Sequence, residues 1–83
     1  MGMSIGELRH EIEDIDLEIA KLLASRFFLC TCIGIEKKKN GMSVLDEKVK
    51  HSAGKIYSKV LGEYGEAIYE TIHEQSVKIQ SKL

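Results

Sequence analysis

The apolar positions in the first part of the chain fall on one regular stripe: Leu8, Ile12, Ile15, Ile19 and Leu22, then Arg26, Leu29 and Ile33. The gaps run 4, 3, 4, 3, 4, 3, 4, a heptad seam sustained for about 25 residues. Just before it, Ser4-Ile5-Gly6-Glu7 is a capping-box pattern. In such a box the Ser4 hydroxyl accepts from the first turn and the Glu7 carboxylate reaches back to the Ser4 backbone. Asn40-Gly41 is the first strong stop signal. The pattern therefore predicts a helix over residues 5–39, about 50 Å long at 1.5 Å per residue. Asp46 is placed to cap a second helix after a short loop, 40–45. Val49, Ala53, Ile56 and Val60 repeat with gaps of 4, 3 and 4, and Gly62 and Gly65 bracket their end, which predicts a helix over 47–61. A third helix runs from about residue 64 to the C-terminus on the seam Ile68, Ile72, Ser76 or Gln75, Ile79 and Leu83.

The expected architecture is all-α: one long helix and two short ones, in a single domain spanning 1–83. The absence of proline agrees with it. The long helix equals the other two combined, and two short helices cannot cover a 50 Å seam. A chain this small also has difficulty building an adequate core alone. The inference is an intertwined homodimer in which the first helix of each chain spans both halves.

Composition narrows the function. Lys and Arg number 12 against 13 Asp and Glu, a net charge of −1, which argues against bulk-charge binding of nucleic acid. The longest uncharged stretch, 27–35, falls far short of the roughly 18 apolar residues of a membrane span. The N-terminus leads straight into patterned sequence, without the basic and apolar regions of a signal peptide. Cys30 and Cys32 are too close in sequence to staple distant parts of a fold, and read as two buried, reduced thiols of a cytoplasmic protein. His10, His51 and His73 stand alone, and no zinc-like spacing joins them to the cysteines, so no metal site is expected.

The chemistry lies in polar residues on the seams. Arg26 occupies a core position, where a guanidinium is costly without an anion from the protein or from a ligand. Lys37 follows eleven residues later, three turns plus about 20° around the helix, on the same face. Arg9 lies about 100° away around the axis and faces elsewhere, toward the other half of a dimer. Ser76 and Gln80 sit one turn apart on one face of the third helix. Two readings stay open: a cavity lined by Arg26, Lys37, Ser76 and Gln80, or polar residues scattered along an interface. Such a cavity would be cationic, with neutral donors opposite and no nucleophile or acid–base pair. It suits a small dianion and a reaction driven by orientation and electrostatic stabilisation.

These residues carry a family resemblance. The run from Leu8 to Asp16 resembles the opening of the all-helical (AroQ-class) chorismate mutases. So do Leu22-Leu23-Ala24-Ser25-Arg26, Ile33-Gly34-Ile35-Glu36-Lys37, Val44-Leu45-Asp46 and Ser76-Val77-Lys78-Ile79-Gln80. The motifs follow the family's order over almost the whole chain, which is several residues shorter than well-known members between Asp46 and Ser76. The resemblance implies an intertwined dimer of three-helix chains and the Claisen rearrangement of chorismate to prephenate, a cofactor-free isomerisation in aromatic amino acid biosynthesis. It implies that Arg26, with Arg9 of the partner subunit, binds the two carboxylates. Lys37 and Gln80 would donate to the ether oxygen, and Asp46 and Ser76 would line the site near the substrate's hydroxyl and carboxylate.

Two positions depart from the family pattern. Three and four residues after Asp46, where an Arg and then a Glu or Gln are expected, stand Val49 and Lys50. A charged Lys cannot accept a hydrogen bond from the substrate hydroxyl. A one-residue shift in the loop would bring Lys48 or Glu47 into play instead. The expectation is a mutase weakened at these positions. Its rivals are an isochorismate-pyruvate lyase, a non-catalytic chorismate- or prephenate-binding regulatory module, and a purely structural helical dimer.

Overall fold

The computed structural model describes residues 2–43 and 47–83, with the side chains of 2–43 and 50–83. It contains three helices in chain order, α1 (Ile5–Lys39), α2 (Glu47–Leu61) and α3 (Glu63–Ser81), and no strand among the described residues.

The ends of α1 are chemical. Ser4 is extended at φ −68°, ψ 163°, and its hydroxyl accepts from the Glu7 amide at 3.1 Å. The Glu7 carboxylate accepts from the Ser4 amide at 3.2 Å, closing the capping box. At the other end the Asn40 amide donates to the Glu36 carbonyl at 3.1 Å, and Gly41 turns the chain at φ 65°. Lys37, Lys38 and Lys39 place positive charge on the last turn, where the helix dipole favours it. The expected Asp46 cap of α2 lies outside the described residues.

A single residue, Gly62, separates α2 from α3 and adopts φ 64°. Gly65 does not mark the end of α2, as the sequence suggested; it lies buried inside the first turns of α3. A Cβ there would overlap the Tyr57 carbonyl and stand 2.8 Å from the Ser58 amide nitrogen, so α3 can start against the end of α2 only with glycine at this position.

α3 packs on α2 along one side and on the second half of α1 along another, while α1 and α2 do not pack on each other. The buried residues are few: Cys30 and Gly34 on α1, and Gly65, Tyr69, Ile72 and Ser76 on α3. Ser76 rather than Gln75 occupies the α3 seam, since Gln75 is exposed.

The faces differ from the expected ones in an informative way. The α1 residues turned to α3 are Leu23, Arg26, Phe27, Cys30, Gly34 and Lys37, a stripe neighbouring the heptad seam. The seam itself stays open: Leu8 is 47% exposed, Ile15 56%, Leu22 69% and Leu29 58%. Only Arg26 belongs to both faces. On α2, Ile56 and Val60 are exposed, and the inner face is Lys50, Ala53, Gly54 and Tyr57. That rotation follows from ring packing. Tyr57 stacks on Tyr69 with centroids 5.0 Å apart, and a Cβ on Gly54 would sit 3.5 Å from the Tyr69 ring. Both cysteines are free, but Cys32 is exposed, not buried. Two residues on a helix differ by about 200°, so Cys30 and Cys32 cannot share the inner face.

The result is long and thin, 59 × 23 × 13 Å with a radius of gyration of 16.3 Å. A compact chain of this length would have roughly 12 Å. Among the described residues no helix is long and apolar enough to cross a membrane.

Candidate active site

The contact between α1 and α3 brings Arg26 to Ser76. One guanidinium nitrogen, Nη1, donates to Ser76 Oγ at 2.5 Å and to Cys30 Sγ at 3.7 Å. The Ser76 hydroxyl spends its own hydrogen on the Ile72 carbonyl at 2.8 Å, so an oxygen lone pair faces Arg26. The guanidinium carbon stands 5.9 Å from the centre of the Tyr69 ring. Among the described residues Arg26 pairs with no carboxylate; the ion pairs are exposed contacts of His10 with Glu13 and Asp14, and of Lys39 with Glu36. Arg26 is thus a half-buried cation whose partners among the described residues, Ser76, Cys30 and Tyr69, are neutral.

Gln80 sits one turn beyond Ser76 and packs across Gly34. A Cβ on Gly34 would stand 3.1 Å from Gln80 Cγ and 2.5 Å from Leu83 Cδ1, so glycine sets the approach of α3 here. The Gln80 side-chain oxygen is buried and has no hydrogen-bond partner. An orphaned acceptor of this kind costs about 1–3 kcal/mol. Lys37 is half-buried three residues past Gly34, on the stripe that begins at Arg26.

Burial raises the Tyr69 phenol above its ordinary value of 10.0, while the nearby charge of Arg26 pulls the other way.

The remaining expected residues fall elsewhere. Arg9 is exposed on the free half of α1, roughly 25 Å along the helix from Arg26. Asp46 lies outside the described residues, as do the side chains of Glu47, Lys48 and Val49. Lys50 is half-buried and lines a cavity of about 410 Å³ between α2 and α3 with Gly54, Glu66 and Tyr69. A larger apolar groove, about 830 Å³, opens beside Arg26 between Leu22, Leu23, Tyr57, Ile68 and Ile72.

Tyr69 is not among the residues expected from the sequence, and Cys30 was expected only as a buried thiol. The signal for Tyr69 was present: Tyr69, Ile72 and Ser76 follow one another at gaps of 3 and 4. The chain's chemistry here is a cation seeking an anion, a second cation on the same helix stripe, and an amide with an unused acceptor. Neither a nucleophile poised by a base nor a group of three metal-ligating side chains occurs among the described residues.

Residues 8–81 match the family model of chorismate mutase type II. No curated protein and no solved structure gives a significant match.

Proposed function

The chain belongs to the chorismate mutase type II family, and we propose that it catalyses the rearrangement of chorismate to prephenate at the α1–α3 contact around Arg26. The observation that carries this reading is the half-buried Arg26 guanidinium, whose partners Ser76, Cys30 and Tyr69 are all neutral. A buried cation without a counter-ion is costly, and a substrate carboxylate relieves that cost.

The rearrangement breaks a C–O bond, forms a C–C bond and moves no proton. Negative charge develops on the ether oxygen in the transition state, and the reactive conformer places its two arms close together. The protein therefore needs to hold two carboxylates and to supply donors at one oxygen. Arg26 holds one carboxylate. Arg9 of the partner subunit holds the other, in an intertwined homodimer. Three observations support that dimer: the free half of α1, the open seam of Leu8, Ile12, Ile15 and Ile19, and the apolar groove beside Arg26. Lys37 and Gln80 donate to the ether oxygen. Turning the Gln80 amide over replaces its orphaned oxygen with an N–H, the donor the reaction requires. Because an amide needs no proton from solvent, Gln80 imposes no acidic optimum. Ser76 and Asp46 complete the carboxylate and hydroxyl contacts.

Lys50 is the weak point. Where the substrate hydroxyl needs an acceptor, a charged amine has none to give, so the mutase is slow for its family. The test is product analysis after incubation with chorismate and, separately, with isochorismate. Prephenate from chorismate supports the reading. Salicylate and pyruvate from isochorismate would make the chain a lyase, and saturable chorismate binding without conversion would make it a regulatory module.

A further inference from the structure

Tyr69 has no assigned role toward the substrate, yet it is more enclosed than Cys30, Ile72 or Ser76, at 4% exposure. It is also the residue through which α2 reaches the site. Among the described residues the backbone of α2 does not come close to α1, but its Tyr57 stacks on Tyr69 at 5.0 Å and 42°, and Tyr69 in turn faces Arg26 at 5.9 Å. His73 lies 5.9 Å from the ring on the following turn of α3. Gly54 leaves the ring its space, for a Cβ there would already be in van der Waals contact at 3.5 Å. The ring is thus fixed by α2 and by its own helix before it meets the guanidinium.

Arg26 requires such a support. An arginine paired with a carboxylate has its plane set by a bidentate bond; Arg26 has none among the described residues. Ser76 and Cys30 hold a single nitrogen, Nη1, which leaves the plane free to swing about that contact. The Tyr69 ring limits that swing by cation–π attraction.

We propose that Tyr69 is a positioning residue for Arg26, holding the guanidinium plane so that its remaining N–H groups face the substrate carboxylate. The inference rests on the mutase reading for its consequence in catalysis, though not for the geometry it asserts.

The test uses Tyr69→Phe, which keeps the ring, and Tyr69→Leu, which removes it, both in the full chain. Tyr69→Phe leaves kcat/KM within about threefold of the wild-type value, since a ring still faces the guanidinium. Tyr69→Leu lowers it about tenfold, chiefly through KM, as the cation–π support goes. In an Arg26→Lys background Tyr69→Leu has no further effect, since the plane it fixes is gone; a merely structural role would add its loss in both backgrounds. An independent readout is the Arg26 Nε–H resonance in a ¹⁵N-labelled sample, assigned by its absence from Arg26→Lys. The Tyr69 ring displaces it in the wild-type chain, and Tyr69→Leu returns it to the position of the exposed Arg9. Wild-type kinetics in Tyr69→Leu, additive losses in the Arg26→Lys background, or an unmoved resonance in Tyr69→Leu would each overturn the proposal. Should Tyr69→Leu fail to fold, Tyr69→Met, which also lacks a ring, and its double variant decide the matter. If the wild-type chain converts no chorismate, the mutase reading fails and the resonance alone judges the positioning.

Discussion

Two single residues set the character of the site, and both can be read as charge without a match. Among the described residues Arg26 is a cation whose hydrogen-bond partners are neutral, and on the proposed reading Lys50 is a cation where the substrate hydroxyl calls for an acceptor. If Lys50 stands beside the substrate hydroxyl, Lys50→Glu raises kcat/KM, by about tenfold for one recovered charge-assisted hydrogen bond. Steady-state kinetics on chorismate measure it, and an unchanged or lower rate would mean that this turn of α2 faces another way. Tyr69 supplies a pH signature. Its phenol is raised above 10.0 in the folded chain, so the unfolded chain loses that proton first as the pH climbs. The contribution is complete below pH 10 and is lost as the pH rises through the folded value. Thermal melts should show the stability difference between the wild-type chain and Tyr69→Phe narrowing above pH 10 in favour of the variant.

At the scale of the helices, the ends were legible and the faces only partly so. Ser4, Glu7, Asn40 and Gly41 announce the bounds of α1 through bonds that need no tertiary partner, and α1 and α2 run over the residues that these signals and the periodicity predict. Which face turns inward depends on what a helix meets. The heptad seam is the most regular pattern in the chain, yet α3 packs on the neighbouring stripe, where Cys30 and Gly34 allow a close approach. On α2 the aliphatic repeat Ile56 and Val60 lost the inner face to Gly54 and Tyr57, because a ring stack and a glycine contact outweigh two aliphatic side chains at this crossing. Glycine therefore carries more structural information here than its helix propensity suggests. Gly65→Ala forces a methyl group into the Tyr57 carbonyl and should cost about 1–3 kcal/mol in denaturant unfolding. Gly6→Ala, in the open first turn with nothing nearer than the Ser4 hydroxyl at 3.9 Å, should instead stabilise by about 0.5–1 kcal/mol.

At the scale of the whole molecule, one chain does not bring all the residues of the proposed site together. Arg26, Ser76 and Gln80 meet at one contact of α1 with α3, whereas Arg9 rides on a bare stretch of helix roughly 25 Å away. The sequence showed that distance as a spacing of seventeen residues, and the open seam supplies a reason for a second copy to close it. A chain 59 Å long with six buried residues among those described buries little surface alone, which is the ground for the proposed dimer. Mixing separately inactive Arg9→Ala and Lys37→Ala chains, unfolded together and refolded, should restore part of the activity, because mixed dimers contain one intact site. No recovery would place Arg9 outside the site.

On the proposed reading Arg26 awaits a substrate carboxylate. The measurement that tests it most directly is the loss of chorismate absorbance, with prephenate identified as product, in wild-type and Arg26→Ala chains of equal helicity and oligomeric state. The account predicts turnover above background in the wild-type chain and a fall of about 10²–10³ in Arg26→Ala, the size expected when a preorganised charge is removed. Equal rates in the two, or no turnover in a folded wild-type protein, would contradict it.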